Sequence, residues 1–353
     1  MRVLILTPTA LPSITGNAIT TERWRHSLSK KGIGVEVLAS QGIQALDLLR
    51  ELKRFRPKLI HVHHAFRAGS LLLDSRVMNM WVDLPLIVSP GGTDINFDLE
   101  MDDRKELIKK IYQKARFIIS QSRETSKRLE EVLPGLRERI ALVPKSCFWF
   151  GHDAFDLRKT AGCRPGNILF FMPAGIRPVK RNLECLIAFE GIHAARPWVR
   201  VVFAGPALDA EYAAQFEKEL NRLHSFAHWI PSISPMSMRS AYQTSDIVLN
   251  ASFSEGLSNA LLEAIAVGKP VLASNIPGNW WPVLGDNGDQ PAGYLFNPGD
   301  AEDFITHALK LIDDEKGREA FGRSGQTRAL RWPTPEDEAE GLIQVYQAAH
   351  RLI

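Results

Sequence analysis

Cysteine is scarce in this chain, and neither sign of charge dominates. Three cysteines (Cys147, Cys163, Cys185) stand in 353 residues, with no C-x-x-C pair. That odd, scattered set excludes a disulfide framework and a thiolate zinc site, and fits reduced thiols in a cytoplasmic protein. The formal net charge is +3, from 43 basic and 40 acidic residues. Such a balance argues against the broad cationic face of a nucleic-acid binder and suits a small anionic ligand. No apolar run approaches the roughly 18 residues of a membrane span. The opening MRVLILTPTALP carries one basic residue and ends at prolines, so it reads as a buried strand and not as a signal peptide. Internal repeats and low-complexity tracts are also missing.

What is present is a hydrophobic fraction of 45%, typical of a globular protein, in a length that exceeds one ordinary core. Two domains follow. The first, residues 1–150, has apolar strands at 3–7, 35–38, 59–63, 86–89, 116–121 and 140–143. Helices fall between them near 19–31, 44–56, 69–82, 104–115 and 124–131. Residues 144–167 break the pattern and read as the connection. The second domain, 165–331, has strands at 168–171, 199–204, 228–230, 247–250 and 270–274. Its helices are expected near 183–195, 210–222, 236–243, from 257, and at 301–313 and 315–331. The last segment, 335–353, has an apolar stripe (Leu342, Ile343, Tyr346) that would pack back on the first domain. Repeated strand–helix units imply parallel, doubly wound sheets. The expected class is therefore α/β, with two Rossmann-like domains whose strand ends face a central cleft.

Two stretches carry chemistry. In SFSEGLSNALLEAIAVGKPVLAS (252–274), Glu263 is the only ionisable side chain between Gly256 and Gly268. Burying such a carboxylate is costly unless something hydrogen-bonds it. A vicinal diol of a ribose could do so; a structural arginine or backbone amide could do so equally well. With a helix starting near Leu257, the amides of Leu257, Ser258 and Asn259 would form an anion-attracting terminus, and Gly256 would admit close approach. In MPAGIRPVKRN (172–182), Arg177, Lys180 and Arg181 follow a strand on a tight loop with Gly175 and Pro178. An arginine beside a lysine complements a diphosphate, although solvated basic loops are common.

These motifs resemble the family-4 retaining glycosyltransferases of GT-B fold. Glu255-x7-Glu263 within SEGLSNALLEAIAVGKPVLAS is similar to the family signature, and the AGIRPVK, TGNAITTERW, GGTDIN and NIPGN turns are similar to family loops. The resemblance implies metal-independent transfer from a nucleotide-sugar donor, for which a UDP-sugar is expected, to an acceptor it leaves unidentified. It implies Arg177 and Lys180 at the donor diphosphate, Glu263 at the ribose, and Glu255 at the transferred sugar near the amides of Gly256–Asn259. Gly16 and Asn17 match the loop after the first strand. Two departures stand out. Where many members have a histidine before GTD, this chain has Gly91, which leaves Thr93 and Asp94 as the candidates there. At the base contact it reads HWIPSIS, so Ile230 is the candidate and Pro231 offers no N–H. Related alternatives are a selenosugar- or thiosugar-forming transferase, a GT-B epimerase, and a non-catalytic nucleotide-sugar binding protein.

Other signals have ordinary explanations beside functional ones. The pattern His61-Val62-His63-His64 invites a metal, but no nearby carboxylate or thiolate has ligand spacing. Core histidines, or residues recognising an acceptor with Arg67, are the preferred accounts. The basic helix RKELIKKIYQKARF (104–117) either lies on an anionic membrane or covers a sheet with its lysines in water. FDLEMDD (97–103) reads as a loop and helix start. Trp280-Trp281 is either a carbohydrate platform or packing.

Overall fold

A computed structural model describes residues 1–81 and 83–351 as two compact units: Met1–Ser146 together with the segment from Pro333 onward, and Cys147–Trp332. In the first unit the chain runs β1 (Arg2–Thr7), α1 (Gly16–Lys30), β2 (Gly34–Ala39), α2 (Ala45–Phe55), β3 (Leu59–His63), α3 (Ser75–Trp81), β4 (Leu86–Ser89), α4 (Thr93–Asn96), α5 (Asp102–Lys114), β5 (Phe117–Ser120), α6 (Arg123–Val132) and β6 (Ile140–Leu142). The second unit contains α7 (Leu157–Thr160), β7 (Ile168–Pro173), α8 (Asn182–Ala195), β8 (Val199–Ala204), α9 (Ala210–Arg222), β9 (Ala227–Ile230), α10 (Met238–Thr244) and β10 (Ile247–Asn250). It continues with α11 (Asn259–Ala266), β11 (Val271–Ser274), α12 (Pro277–Leu284), β12 (Gly293–Phe296), α13 (Ala301–Asp313) and α14 (Glu315–Ala329). The chain then returns to the first unit as α15 (Pro335–Arg351).

Each unit holds a six-stranded sheet whose pairings are all parallel, in the orders β2-β1-β3-β4-β5-β6 and β12-β11-β10-β7-β8-β9. Side chains alternate between the two faces, as a pleated strand requires. Along β1, Leu4 and Leu6 join Leu48, Ile108 and Tyr112 under α2 and α5, while Val3 and Ile5 meet Trp24, Leu342 and Tyr346 from α1 and α15. The helix at 104–115 therefore covers a sheet with its apolar side. In the second unit Phe170 and Val201 pack with α8, α9 and α13; Phe171 and Val248 pack with α10 and α11.

Several expectations need correction. Residues 147–167 do not form a free connection. Leu157 is in the core of the second unit, and Arg158 pairs with Asp246 at 2.6 Å. The strand β12 is missed because its sequence, GYLF, is short and opens with glycine. A Cβ on Gly293 would lie 1.8 Å from the Val271 carbonyl oxygen, so the close approach to β11 requires glycine. The helix α12 hides behind Pro277, which sits in its first turn, where a missing N–H costs nothing. The span 69–82 is a 3-10 turn followed by α3, and its last residue, Val82, lies outside the described residues, as do Leu352 and Ile353.

The return of α15 is held by a buried carboxylate. Glu338 accepts from Arg23 Nε (2.8 Å) and Nη2 (3.0 Å), Trp24 Nε1 (2.7 Å), Gln121 Nε2 (3.2 Å) and the Ser146 N–H (3.0 Å) and hydroxyl. Burial by itself would raise its pKa; the Arg23 charge and these donors outweigh that and hold it below the usual range. Glu338→Ala leaves Arg23 buried without its partner, and we expect a loss of about 3–5 kcal/mol in urea unfolding. Hydrogen exchange should place the loss in α1 and α15. Because the native pKa is depressed, this stabilisation is present above the unfolded carboxylate pKa and disappears as pH falls through the native one. Equal acid sensitivity of Glu338→Gln and the parent would contradict the assignment.

Candidate functional site at the strand ends

Doubly wound sheets bind ligands where the strand order reverses, outside the carboxyl ends of the two strands that flank the reversal. In the second unit that point lies between β7 and β10, since β8 and β9 continue to one side and β11 and β12 to the other. The loop after β7 carries Arg177 and Lys180; the loop after β10 carries Glu255. The two loops are joined by the Phe253 N–H, which donates to the Val179 carbonyl at 2.9 Å. Lys180 and Glu255 meet in a close ion pair, both side chains mostly buried.

Glu255 is held from several directions. Its Oε1 accepts from Lys180 Nζ, from the Ser252 hydroxyl at 2.7 Å and from Asn250 Nδ2 at 3.2 Å. Burial pushes its pKa up, but Lys180 and these donors bring it below the ordinary carboxylate value, so it stays charged at neutral pH. Asn250 also donates to the Ser258 hydroxyl at 2.7 Å and accepts from the Ser252 N–H at 3.1 Å. Behind Glu255 lies the turn NIPGN. A Cβ on Gly278 would sit 2.4 Å from the Glu255 carbonyl oxygen, and the Ser274 hydroxyl donates to the Ser252 carbonyl at 2.5 Å. Sequence reasoning missed Asn250, Ser252 and Gly278. The signal was an asparagine closing a strand two residues before a serine, a common turn former.

The loop after β7 is as tight as expected. A Cβ on Gly175 would meet Leu208 Cδ1 at 2.5 Å, and one on Gly205 the Ala174 carbonyl at 2.5 Å. Buried Asn182 accepts from the Arg177 N–H at 3.3 Å and donates to the Ala174 carbonyl at 3.4 Å, which shapes the cationic turn. Arg181, in left-handed conformation, stacks its guanidinium on Phe253 at 4.7 Å.

Three expectations change in detail. The helix α11 begins at Asn259, two residues later than the spacing suggests, because Ser258 caps it by accepting the Leu261 N–H. Leu257 packs in the core, with Gly256 half-buried before it. Glu263 is half-buried and not enclosed, so its desolvation cost is smaller than the apolar sequence implies. Its charge lies close to Tyr242, whose phenol is pushed well above its ordinary pKa first by burial and then by that carboxylate. Ile230 ends β9, and its carbonyl accepts the Gly205 N–H at 3.0 Å.

In the first unit the order reverses between β1 and β3. Gly16 and Asn17 open α1 after the loop from β1; Gly16 is exposed, and Thr15 caps the helix by accepting the Ala18 N–H at 3.2 Å. Asp94 is fully buried and holds neighbouring loops together, accepting from the Ala65 N–H (2.8 Å), the Gly91 N–H (3.0 Å) and the Tyr112 hydroxyl (3.2 Å). Thr93 remains partly exposed. His61 bonds Tyr346 (2.7 Å) and Ser89 (3.0 Å) and stacks on Trp24; burial pushes its pKa down to about 3. Trp281 packs on Trp332 at 3.7 Å, whereas Trp280 is exposed and donates to Asn275. None of the three cysteines is bridged, and burial raises the Cys185 thiol to about 12. Among the described residues no helix is long and apolar enough to cross a membrane, and no three His, Cys, Asp or Glu side chains are grouped to hold a metal.

Two doubly wound parallel units, with paired charges at a switch point, define a GT-B protein. The description "Glycosyltransferase Family 4" matches residues 3–146, and "Glycosyl transferases group 1" matches residues 154–328. The chain belongs to these glycosyltransferases. It is 26% identical to Glycosyltransferase 1 domain-containing protein 1 of Xenopus tropicalis over 79% of this chain and 80% of that one. It is 28% identical to a D-inositol 3-phosphate glycosyltransferase of Segniliparus rotundus, over 56% of this chain and 44% of that one. In fold it is similar to sucrose-phosphate synthase of Thermosynechococcus elongatus (TM-score 0.81, 14% identity, all of both chains). Anabaena HepE, solved with UDP-glucose, is also similar (TM-score 0.75, 16% identity, 99% of this chain and 100% of that one).

The Lys180–Glu255 pair has a measurable signature. Lys180→Met removes the main influence that lowers the Glu255 pKa while its burial persists, so we expect that pKa to rise. Carboxyl 13C resonances followed through a pH titration of the unliganded protein would report it. A midpoint that does not move would show that Lys180 does not set the charge of Glu255.

Proposed function

We propose that this glycosyltransferase moves a sugar from a UDP-sugar to an acceptor hydroxyl, with retention at the anomeric carbon and without a metal ion, in the cytoplasm. The observation that carries the proposal is the charge arrangement at the β7–β10 switch point, with Arg177 and Lys180 in one loop and Glu255 pinned against Lys180. The UDP-glucose in Anabaena HepE supports a UDP-sugar as the donor. Arg177 would clamp the diphosphate through paired N–H groups and Lys180 would act as a point charge. Glu263, on the second turn of α11, would accept hydrogen bonds from the ribose diol.

In the transfer the bond from the anomeric carbon to the β-phosphate oxygen breaks, and a bond to the acceptor oxygen forms on the same face. The acceptor's proton passes to the departing phosphate oxygen. The protein's contribution is to stabilise charge growing on the leaving diphosphate with groups that are already in place. Two fixed cations in one loop supply the neutralisation a metal ion would otherwise give. Glu255, charged and immobile beside Lys180, is suited to hold a hydroxyl of the transferred sugar.

A thermal-shift screen of UDP-, GDP- and ADP-sugars tests the donor, since a bound ligand raises apparent stability; stabilisation by GDP-sugars alone would overturn the uridine assignment. With the donor in hand, Glu263→Ala should weaken UDP binding about 100-fold by calorimetry, the scale of two hydrogen bonds to a charged group. Unchanged affinity would remove the ribose role. Arg177→Ala combined with Lys180→Ala should lower kcat/KM for donor turnover about 1000-fold, and excess EDTA should leave the parent rate unaltered. Binding with no turnover, even of donor to water, would favour a nucleotide-sugar binding protein instead.

A further inference from the structure

The strand β2 forms one edge of the first unit's sheet and pairs with β1 along its whole length, from Gly34 opposite Arg2 to Ala39 opposite Thr7. In a parallel ladder, alternate residues bond to one neighbour, and those between them point their N–H and C=O the other way. The Gly34 N–H donates to the Met1 carbonyl at 2.9 Å and the Ser40 N–H to the Thr7 carbonyl at 2.7 Å, so the even-numbered residues of β2 face β1. Val35, Val37 and Ala39 therefore turn their backbone donors and acceptors outward. Among the described residues no segment bonds to them.

This edge lacks the usual protection. Sheet edges are commonly blunted by shortness, proline, lysine or a bulge. The edges β6, β9 and β12 have three or four residues, whereas β2 has six in unbroken register. Its sequence, GVEVLA, holds neither proline nor lysine, and its one charge, Glu36, is drawn to Arg54 at 2.5 Å. A groove of about 320 Å³ opens beside the strand. It is lined by Val35 and Val37, by Thr21, Glu22 and Arg25 of α1, and by Leu11, which is 41% exposed.

An occupant of this edge has to be extended to meet the backbone groups, apolar opposite Val35 and Val37, and charged with both signs opposite Glu22 and Arg25. A second copy of β2 and α1 has all three properties. We propose that two copies of this chain join edge to edge through antiparallel pairing of β2, merging their first-unit sheets into one continuous sheet. The alternation fixes the register. Outward residues oppose outward residues, and Glu36 avoids its own copy, because like charges directly opposite are destabilising. A twofold axis at Val37 meets both conditions with the longest overlap: Val37 opposes Val37, Val35 opposes Ala39, and Glu36 opposes Leu38. About six N–H···O bonds then cross the axis. The two α1 helices run antiparallel beside it, so Glu22, which accepts from Arg25 of its own helix at 2.7 Å, also faces Arg25 of the other copy. The contact is isologous and closes on itself, leaving no open edge at β2 to recruit further chains.

Sedimentation of the full chain at tens-of-micromolar concentration should give twice the mass of one chain. Under mild oxidation Val37→Cys should link to itself between copies, since the opposed Cα atoms of such a pair lie about 5.5 Å apart. Glu36→Cys alone should not, yet it should couple to Leu38→Cys when the two variants are mixed; the parent, with its own three cysteines, is the control. Val37→Pro removes an N–H that β1 does not use, so circular dichroism should be unchanged. The dimer dissociation constant should rise at least about tenfold, since two hydrogen bonds across the axis are lost. Val37→Lys, which keeps the backbone intact, should weaken association in the same way if proline unsettles the strand. A parent that sediments as a monomer would overturn the proposal. So would a dimer that survives both substitutions, or one that links through cysteine at 36 and not at 37. A monomer whose Val35 and Val37 amides slow in hydrogen exchange only on adding an extended peptide such as KTVTVTK would assign the edge to a different occupant, and would overturn it equally.

Discussion

The polar groups at the β7–β10 switch point of the second unit are organised around one contact, the ion pair between Lys180 and Glu255. It is made possible by a reversal of strand order. Because β7 and β10 lie side by side while their successors diverge, the loops leaving them are not separated by another strand. Two residues 75 positions apart in the chain can then share a proton-donating contact. The surrounding polar groups serve that pair. Asn250 and Ser252 hold the carboxylate, Asn182 shapes the loop that presents the lysine, and Gly278 leaves room for the Glu255 backbone. A buried charge needs such a shell, since an unpaired carboxylate would otherwise take up a proton.

The first unit solves a different problem with the same means. Its sheet is completed by a helix that arrives from the far end of the chain, and Glu338 joins α15 to α1 and to Ser146 at the point where the chain leaves the unit. At the other strand ends, Asp94 and His64 link the loops after β3 and β4, Asp94 through a buried hydrogen bond and His64 through a partly buried one. Both clusters place a charged or polar group inside and surround it with donors. Such satisfied networks favour one arrangement of their loops over alternatives.

How much of this was legible in advance follows the range of the forces involved. Near-continuous apolar runs such as ILFFMP, or VRVVFA with Arg200 at its partly exposed start, identify buried strands because a strand covered on both faces leaves little room for polar residues. The bounds of β3, β4, β8, β10, α9 and α13 match the expectations. Where local chemistry is ambiguous, the expectations drift. Ser258 moves the start of α11 by capping it, Pro277 and Pro282 disguise α12, and Gly293 disguises a strand whose glycine is required only by its neighbour β11.

By itself, the sequence determined the two α/β domains, the cationic loop and the lone carboxylate on an apolar helix, because hydrophobic period and loop composition act over a few residues. Only the tertiary structure decided that Lys180 neutralises Glu255, that Asp94 lies inside while Thr93 stays accessible, and that His64 takes the space over Gly91. Those outcomes depend on which strands are neighbours and on hydrogen bonds between distant segments, and no local pattern encodes either.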